Sequence, residues 1–124
     1  MQRFLLVCGA GGLGSGARYL VGMWAGTKLG DSFPWGTLIV NVVGSFLIAL
    51  ILELTLRKAM SEEVSLVLAT GFMGGFTTYS AFNFQTTALA SSGHADRAVI
   101  NVIATLAVCL VAGLAGAWLA RRIA

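Results

Sequence analysis

The sequence predicts an all-α integral membrane protein, one domain over residues 1–124, with four transmembrane helices, the third broken at mid-membrane. Three observations predict it. The chain is 57% hydrophobic and 10% charged, with a mean hydropathy of +0.86, whereas a soluble domain carries about 25% charge. So short a chain keeps a large share of its surface exposed, and lipid is the solvent that covers apolar surface of this extent. The apolar residues fall into four runs, roughly 4–26, 36–56, 64–90 and 98–120, each with the ~20 residues that cross a hydrocarbon core. Within the third run, residues 71–82 read GFMGGFTTYSAF, a glycine- and threonine-rich stretch for which a plain membrane-crossing helix has no use.

The first run opens with FLLVCGAGGLG, in which Gly9, Gly11 and Gly14 match the spacing of a dinucleotide-binding turn. No buried strand precedes Asp31 and no strand–helix alternation follows, so the match is a false one. Glycines in a membrane helix instead let neighbours approach closely, and Gly12 and Gly16 form such a small-xxx-small pair. Arg18 lies deep in this run. The second run carries Asn41 within GTLIVNVVGSF, and Glu53 near its end, placed to pair with Arg57 at i+4. The third carries Thr77, Thr78, Ser80, Asn83 and Gln85; Gly71, Gly74 and Gly75 weaken its helix. Backbone freed at membrane depth is tolerated only where it is buried in protein or lines a cavity. Freed carbonyls bind cations, and freed amides attract anions. The fourth run carries Asn101 and Thr105 one turn apart.

Breaks at 27–35, 57–63 and 91–97 hold the charge and turn residues, and Trp24, Trp35 and Trp118 sit near run ends, as interfacial aromatics do. Four crossings put both termini on one side. That side has Arg3, Arg57, Lys58, Arg121 and Arg122 against Lys28 and Arg97 on the other, which favours cytoplasmic termini. No small-residue cleavage site follows a short apolar core, so no cleavable signal is expected. The net charge of +3 is too small and scattered for a nucleic-acid surface. Cys8 and Cys109 read as small buried hydrophobes and make no metal pattern. The one histidine, His94, lies in a short polar loop without an obvious partner, so nothing supports enzymatic chemistry. The polar groups inside the four runs are amides, hydroxyls and one guanidinium, with no carboxylate at mid-membrane. A cation or proton pathway places Asp or Glu there; an anion pathway needs donors.

GFMGGFTTYSAF resembles the third-helix signature of the Fluc (CrcB) fluoride channel family, usually close to GFxGGxTTFSTF. GTLIVNVVGSF resembles the family's second-helix motif and GGLGSGARY, residues 11–19, its first-helix motif. The resemblance implies a fluoride-selective channel that lets the ion leave the cytoplasm down its gradient. It implies an antiparallel, dual-topology homodimer in a bacterial plasma (inner) membrane. It also implies a structural, untransported Na⁺ where the broken helices meet, held by the backbone carbonyls of Gly74 and Thr77 from each subunit. On the fluoride pathway it places Asn41, the aromatics Tyr79 and Phe82, Ser80, the fourth-helix hydroxyl of Thr105 and, at a vestibule, Arg18; Asn101 and Cys109 share the Thr105 face. Aromatic ring edges are electropositive and can face an anion. The chain departs from the family at Tyr79, where Phe is usual, at Ala81, where Thr is common, and at Gln85, where Glu is common.

Two other readings compete. A small four-helix multidrug exporter shares the length and span count but uses a membrane-embedded Glu in its first helix, which this chain lacks. A non-transporting assembly subunit would use the glycines for packing but has no need of Asn41, Arg18 and the Thr77–Thr78 pair together.

Overall fold

The computed structural model describes all residues from Met1 to Ala124. Its elements are helical throughout. Helix α1 covers Gln2–Leu29 and α2 covers Trp35–Leu56. The third run is built in pieces: α3, Glu62–Ser65; a π-helical segment, Leu66–Met73; α4, Gly74–Phe76; and, after two extended residues, α5, Tyr79–Ser91. Helix α6 covers Ala95–Ile123. The helices α1, α2 and α6 are long and apolar enough to cross a membrane. The four runs read from the sequence correspond to these elements, with ends two or three residues longer in α1 and α6. The third run, expected over 64–90 as a broken helix, is interrupted by two extended residues, Thr77 and Thr78.

Local chemistry explains the boundaries. Gly30 and Gly93 adopt φ of 80° and 83°, left-handed conformations that glycine enters without a Cβ penalty, one just past α1 and the other just past α5. Ser61 caps α3 by accepting from the Val64 amide at 3.3 Å, with Glu62 and Glu63 in the first turn where the helix dipole favours negative charge. Thr78 caps α5, its hydroxyl accepting from the Ala81 amide at 3.2 Å.

Helix α2 lies along α6, and α1 lies along the π-helical segment and α4; α1 also touches α2. The third run changes neighbour at its break: before it the chain packs on α1, after it α5 packs on α6. Glycine decides how closely these pairs approach. A Cβ on Gly14 would strike the Phe72 carbonyl, and one on Gly75 would strike the Gly11 carbonyl, so α1 and the third run meet backbone to backbone. This corrects the expected Gly12–Gly16 pair: both face open space, and the contact is made by Gly11 and Gly14 against Gly71 and Gly75. The spacing was sound but the face was not, because a single helix pattern does not say which stripe meets a neighbour.

A small core forms from Val40, Ile51, Ala69, Met73 and Phe76. Only 17 of 124 residues are buried, so most apolar side chains face outward, as they do where lipid is the solvent. Cys8 is exposed and Cys109 half-buried, both as free thiols; Cys8 is therefore not the buried hydrophobe expected, since it points away from the α1 face that carries the glycine contact. At the end of the molecule bearing the termini, Glu53 accepts from Arg57 at 3.1 Å, as its i+4 spacing suggested, and also from Arg121 at 2.9 Å. One carboxylate thus ties α2 to the last turn of α6.

Candidate functional site

The break in the third run consists of two residues. Thr77 (φ −84°, ψ 160°) and Thr78 (φ −155°, ψ 120°) are extended, so the break falls just after the glycines and not among them. The glycine-rich stretch itself is π-helical or α-helical and serves close packing on α1. A helix that ends inside a structure leaves its last carbonyls without i+4 amides. Met73 O keeps its i+4 amide, Thr77 N at 3.0 Å, and also accepts the Thr77 hydroxyl at 2.9 Å. Two of the carbonyls after it find side chains. Gly75 O accepts from the Ser15 hydroxyl at 3.4 Å, and Thr77 O accepts from Arg18 Nη1 at 3.4 Å. Arg18 therefore stands against the open end of α4, where its charge offsets the negative end of the helix dipole.

Asn41 closes the other side of the break. Its Nδ2 donates to Thr78 O at 3.0 Å, while its Oδ1 accepts from the Thr78 amide at 2.8 Å. One side-chain amide thus satisfies both backbone groups of one residue, as a neighbouring strand would. An asparagine amide carries two N–H groups, so one donor of Asn41 stays free of this pairing. Next to it, Gly44 faces the Thr77 methyl so closely that a Cβ on Gly44 would overlap Cγ2.

Beside the clamp lies a cleft of about 380 Å³ between α2 and α6. Asn41, Thr77, Thr78, Tyr79, Phe82 and Thr105 line it. The rings of Tyr79 and Phe82 lie 5.6 Å apart, tilted by 50°. Phe82 is buried, whereas Tyr79 is 77% exposed. Cys109 also lines the cleft. Asn101 does not: it is 1% exposed and donates to Thr86 Oγ1 at 2.8 Å, while Thr105 donates to its Oδ1 at 3.4 Å. Thr86 in turn donates to Phe82 O at 2.7 Å. This string of hydroxyls and an amide joins α5 to α6 behind Phe82. Thr86 was missed in the sequence, where nothing sets one threonine of the third run apart from another.

The residues singled out in the sequence separate into three places. Asn41, Tyr79, Phe82 and Thr105 share the cleft. Ser80 is exposed at the start of α5, its hydroxyl 3.2 Å from that of Thr78. Arg18 and the carbonyls of Gly74 and Thr77 belong to the end of α4, with Gly74 exposed. The residue types there suit an alkali cation: hard carbonyl oxygens at the negative end of a helix. Arg18 uses one lone pair of Thr77 O, and a carbonyl oxygen has two.

Long apolar helices, a helix interrupted between Arg18 and Asn41, and a donor- and ring-lined cleft at the interruption define a small helical membrane protein built around a broken helix. Residues 5–117 match the family described as CrcB-like protein, Camphor Resistance (CrcB). The chain is 50% identical over 125 residues to a protein of Anaeromyxobacter sp. (strain K) named Fluoride-specific ion channel FluC, covering 100% of this chain and 99% of the relative. Proteins of the same name from Geobacter sulfurreducens, 45% identical over 124 residues, and Thermus thermophilus, 44% identical over 116 residues, cover 99% and 94% of this chain and 100% and 91% of their own lengths. The chain belongs to the CrcB family, whose relatives named here are channels and not enzymes.

Proposed function

We propose that this protein is a fluoride channel that lets the ion leave a bacterial cytoplasm down its electrochemical gradient. The observation that carries the reading is the cleft itself: an amide donor, a hydroxyl and two aromatic rings converge on one cavity beside a broken helix, with no carboxylate among its lining residues. The name of the relatives points the same way. Fluoride is small and strongly hydrated, so a selective path must replace its water with other donors. The free N–H of Asn41 and the edges of Tyr79 and Phe82 supply such donors, and the Thr105 hydroxyl adds one when it turns from Asn101. Asn41 cannot swing freely, because its other two positions are held by Thr78; its donor is therefore preorganised.

In this reading two copies associate in antiparallel fashion in the inner membrane, with four crossings each. The exposure of Tyr79, Ser80 and Gly74 at one break supports a second copy meeting this face. Gly74 and Thr77 of each copy would hold a Na⁺ that supports the junction. An isologous two-fold contact supplies the same carbonyls twice. Arg18 then serves as a fixed charge that attracts anions at a vestibule.

The test is fluoride and chloride efflux, read with ion-selective electrodes, from liposomes holding the purified protein. Fast fluoride efflux with negligible chloride efflux is expected. No fluoride efflux from a folded protein in Na⁺ would reject the reading, and drug-stimulated proton exchange in its place would favour the exporter.

A further inference from the structure

A second cleft, of about 280 Å³, opens where the α1–α2 loop meets the first turn of α6. It contains one ionic side chain, Arg97, whose Nη1 donates to the Ser32 carbonyl at 3.2 Å. That bond holds the guanidinium over the cleft and leaves its other N–H groups free. The nearest acids face elsewhere or along the helix. Asp31 lines a different cavity beside Gly26, and Asp96 is the residue before Arg97 in the first turn of α6. Phe33 and Trp35 form one wall, their rings 4.8 Å apart, and such aromatics sit at headgroup depth in membrane proteins. From Arg97 the cleft runs past Ile100 to Ala104, a rise of about 10 Å along α6, with Leu38 one turn below Trp35 on α2. Ile100 is 54% exposed, so the groove is open at its side.

One end is therefore cationic and the rest apolar, at the end of two helices long enough to cross a bilayer. We propose that this groove is a binding site for an anionic phospholipid, with its phosphate on Arg97 and an acyl chain along Leu38, Ile100 and Ala104. The site is distinct from the ion cleft but adjoins it: Leu38 is one turn from Asn41, and Ala104 precedes Thr105. A lipid seated there braces the α2–α6 groove just beyond the donors that line the ion cleft.

The test uses the full chain carrying Trp24→Phe and Trp118→Phe, so that Trp35 alone reports. In liposomes, quenching of Trp35 by acyl-brominated phosphatidylglycerol is compared with quenching by brominated phosphatidylcholine. A preference for the anionic lipid of about fivefold is expected, the factor one basic side chain supplies at a membrane surface. It should fall to about one in Arg97→Gln, persist in Arg97→Lys, and survive excess inorganic phosphate. If Arg97→Gln does not fold, raising the ionic strength on the parent protein should lower the preference while leaving phosphatidylcholine quenching unchanged. Equal quenching by both lipids in the parent, or a preference that Arg97→Gln retains, would overturn the proposal. So would its abolition by inorganic phosphate, which would make the site one for the free ion. Trp35 unquenched by either lipid would mean that a second copy of the chain covers the groove, and would overturn it equally.

Discussion

Replacing Asn41 by leucine removes a pair of hydrogen bonds at one stroke and keeps the number and branching of side-chain heavy atoms. The bonds, 3.0 and 2.8 Å long, are the partners that the Thr78 carbonyl and amide have across the break. Orphaning buried backbone groups costs about 1–3 kcal/mol each in soluble proteins, or roughly 2–6 kcal/mol for two. Side-chain hydrogen bonds within membrane proteins average about 0.6 and reach about 1.7 kcal/mol, which gives roughly 1–3 kcal/mol. The lower range decides here, because the cleft beside Thr78 has room for water to take over both groups. The assay is reversible unfolding in mixed micelles titrated with a denaturing detergent, followed by tryptophan fluorescence, with amide exchange as the local readout. Asn41→Leu should lose about 1–3 kcal/mol and should raise exchange at Thr78 and the first turn of α5, while leaving α1 protected. Unchanged stability together with unchanged exchange at Thr78 would refute the clamp.

The remaining predictions rest on contacts that can be tested separately. Gly75→Ala should be strongly destabilising, by about 3 kcal/mol or more, because its Cβ meets the rigid Gly11 carbonyl; Gly12→Ala, facing open space, should be near neutral in the same titration. Gly44→Ala should cost stability through the Thr77 methyl, and Thr77→Ser, which removes that methyl and keeps the hydroxyl, should recover most of the loss in the double variant. Phe82→Ile should abolish fluoride efflux while the protein still folds, since it replaces a ring edge in the cleft by an aliphatic group of smaller volume; undiminished efflux would remove the ring from the pathway. C-terminal reporter fusions should report both sides of the membrane if the chain inserts in both orientations, and exclusively cytoplasmic ends would overturn the antiparallel homodimer.

Much of the site is legible in the residues because its chemistry is unusual for a membrane interior. Asn41, Thr105, Tyr79 and Phe82 stand out as donors and rings in apolar runs, and they meet in one cleft. What was illegible is pairing over distance. Nothing in the sequence around Asn41 says that its amide is engaged by Thr78, 37 residues away, or that Thr86 anchors Asn101. Arg18 has the same history: its residue type suggests attraction of anions, while the structure sets it against the Thr77 carbonyl.

By itself the sequence determined the solvent and the segments. An apolar fraction of 57% with 10% charge is a thermodynamic statement about lipid, and helix ends follow from local caps, glycines and charges that act within a turn or two. It also determined that the third run would be interrupted, since Thr77 and Thr78 follow three glycines in five residues. Only the tertiary structure decided where the interruption falls and what it does. The third run can leave helical geometry at Thr77–Thr78 because Asn41 from α2 and Arg18 from α1 satisfy the backbone released there. The same packing passes the run from α1 to α6. It also selects Gly14 and Gly75, not Gly12 and Gly16, as the close contact. The physical reason is that unsatisfied backbone at membrane depth is too costly to persist alone, so the break exists only where other helices supply its partners, and those partners are remote in sequence.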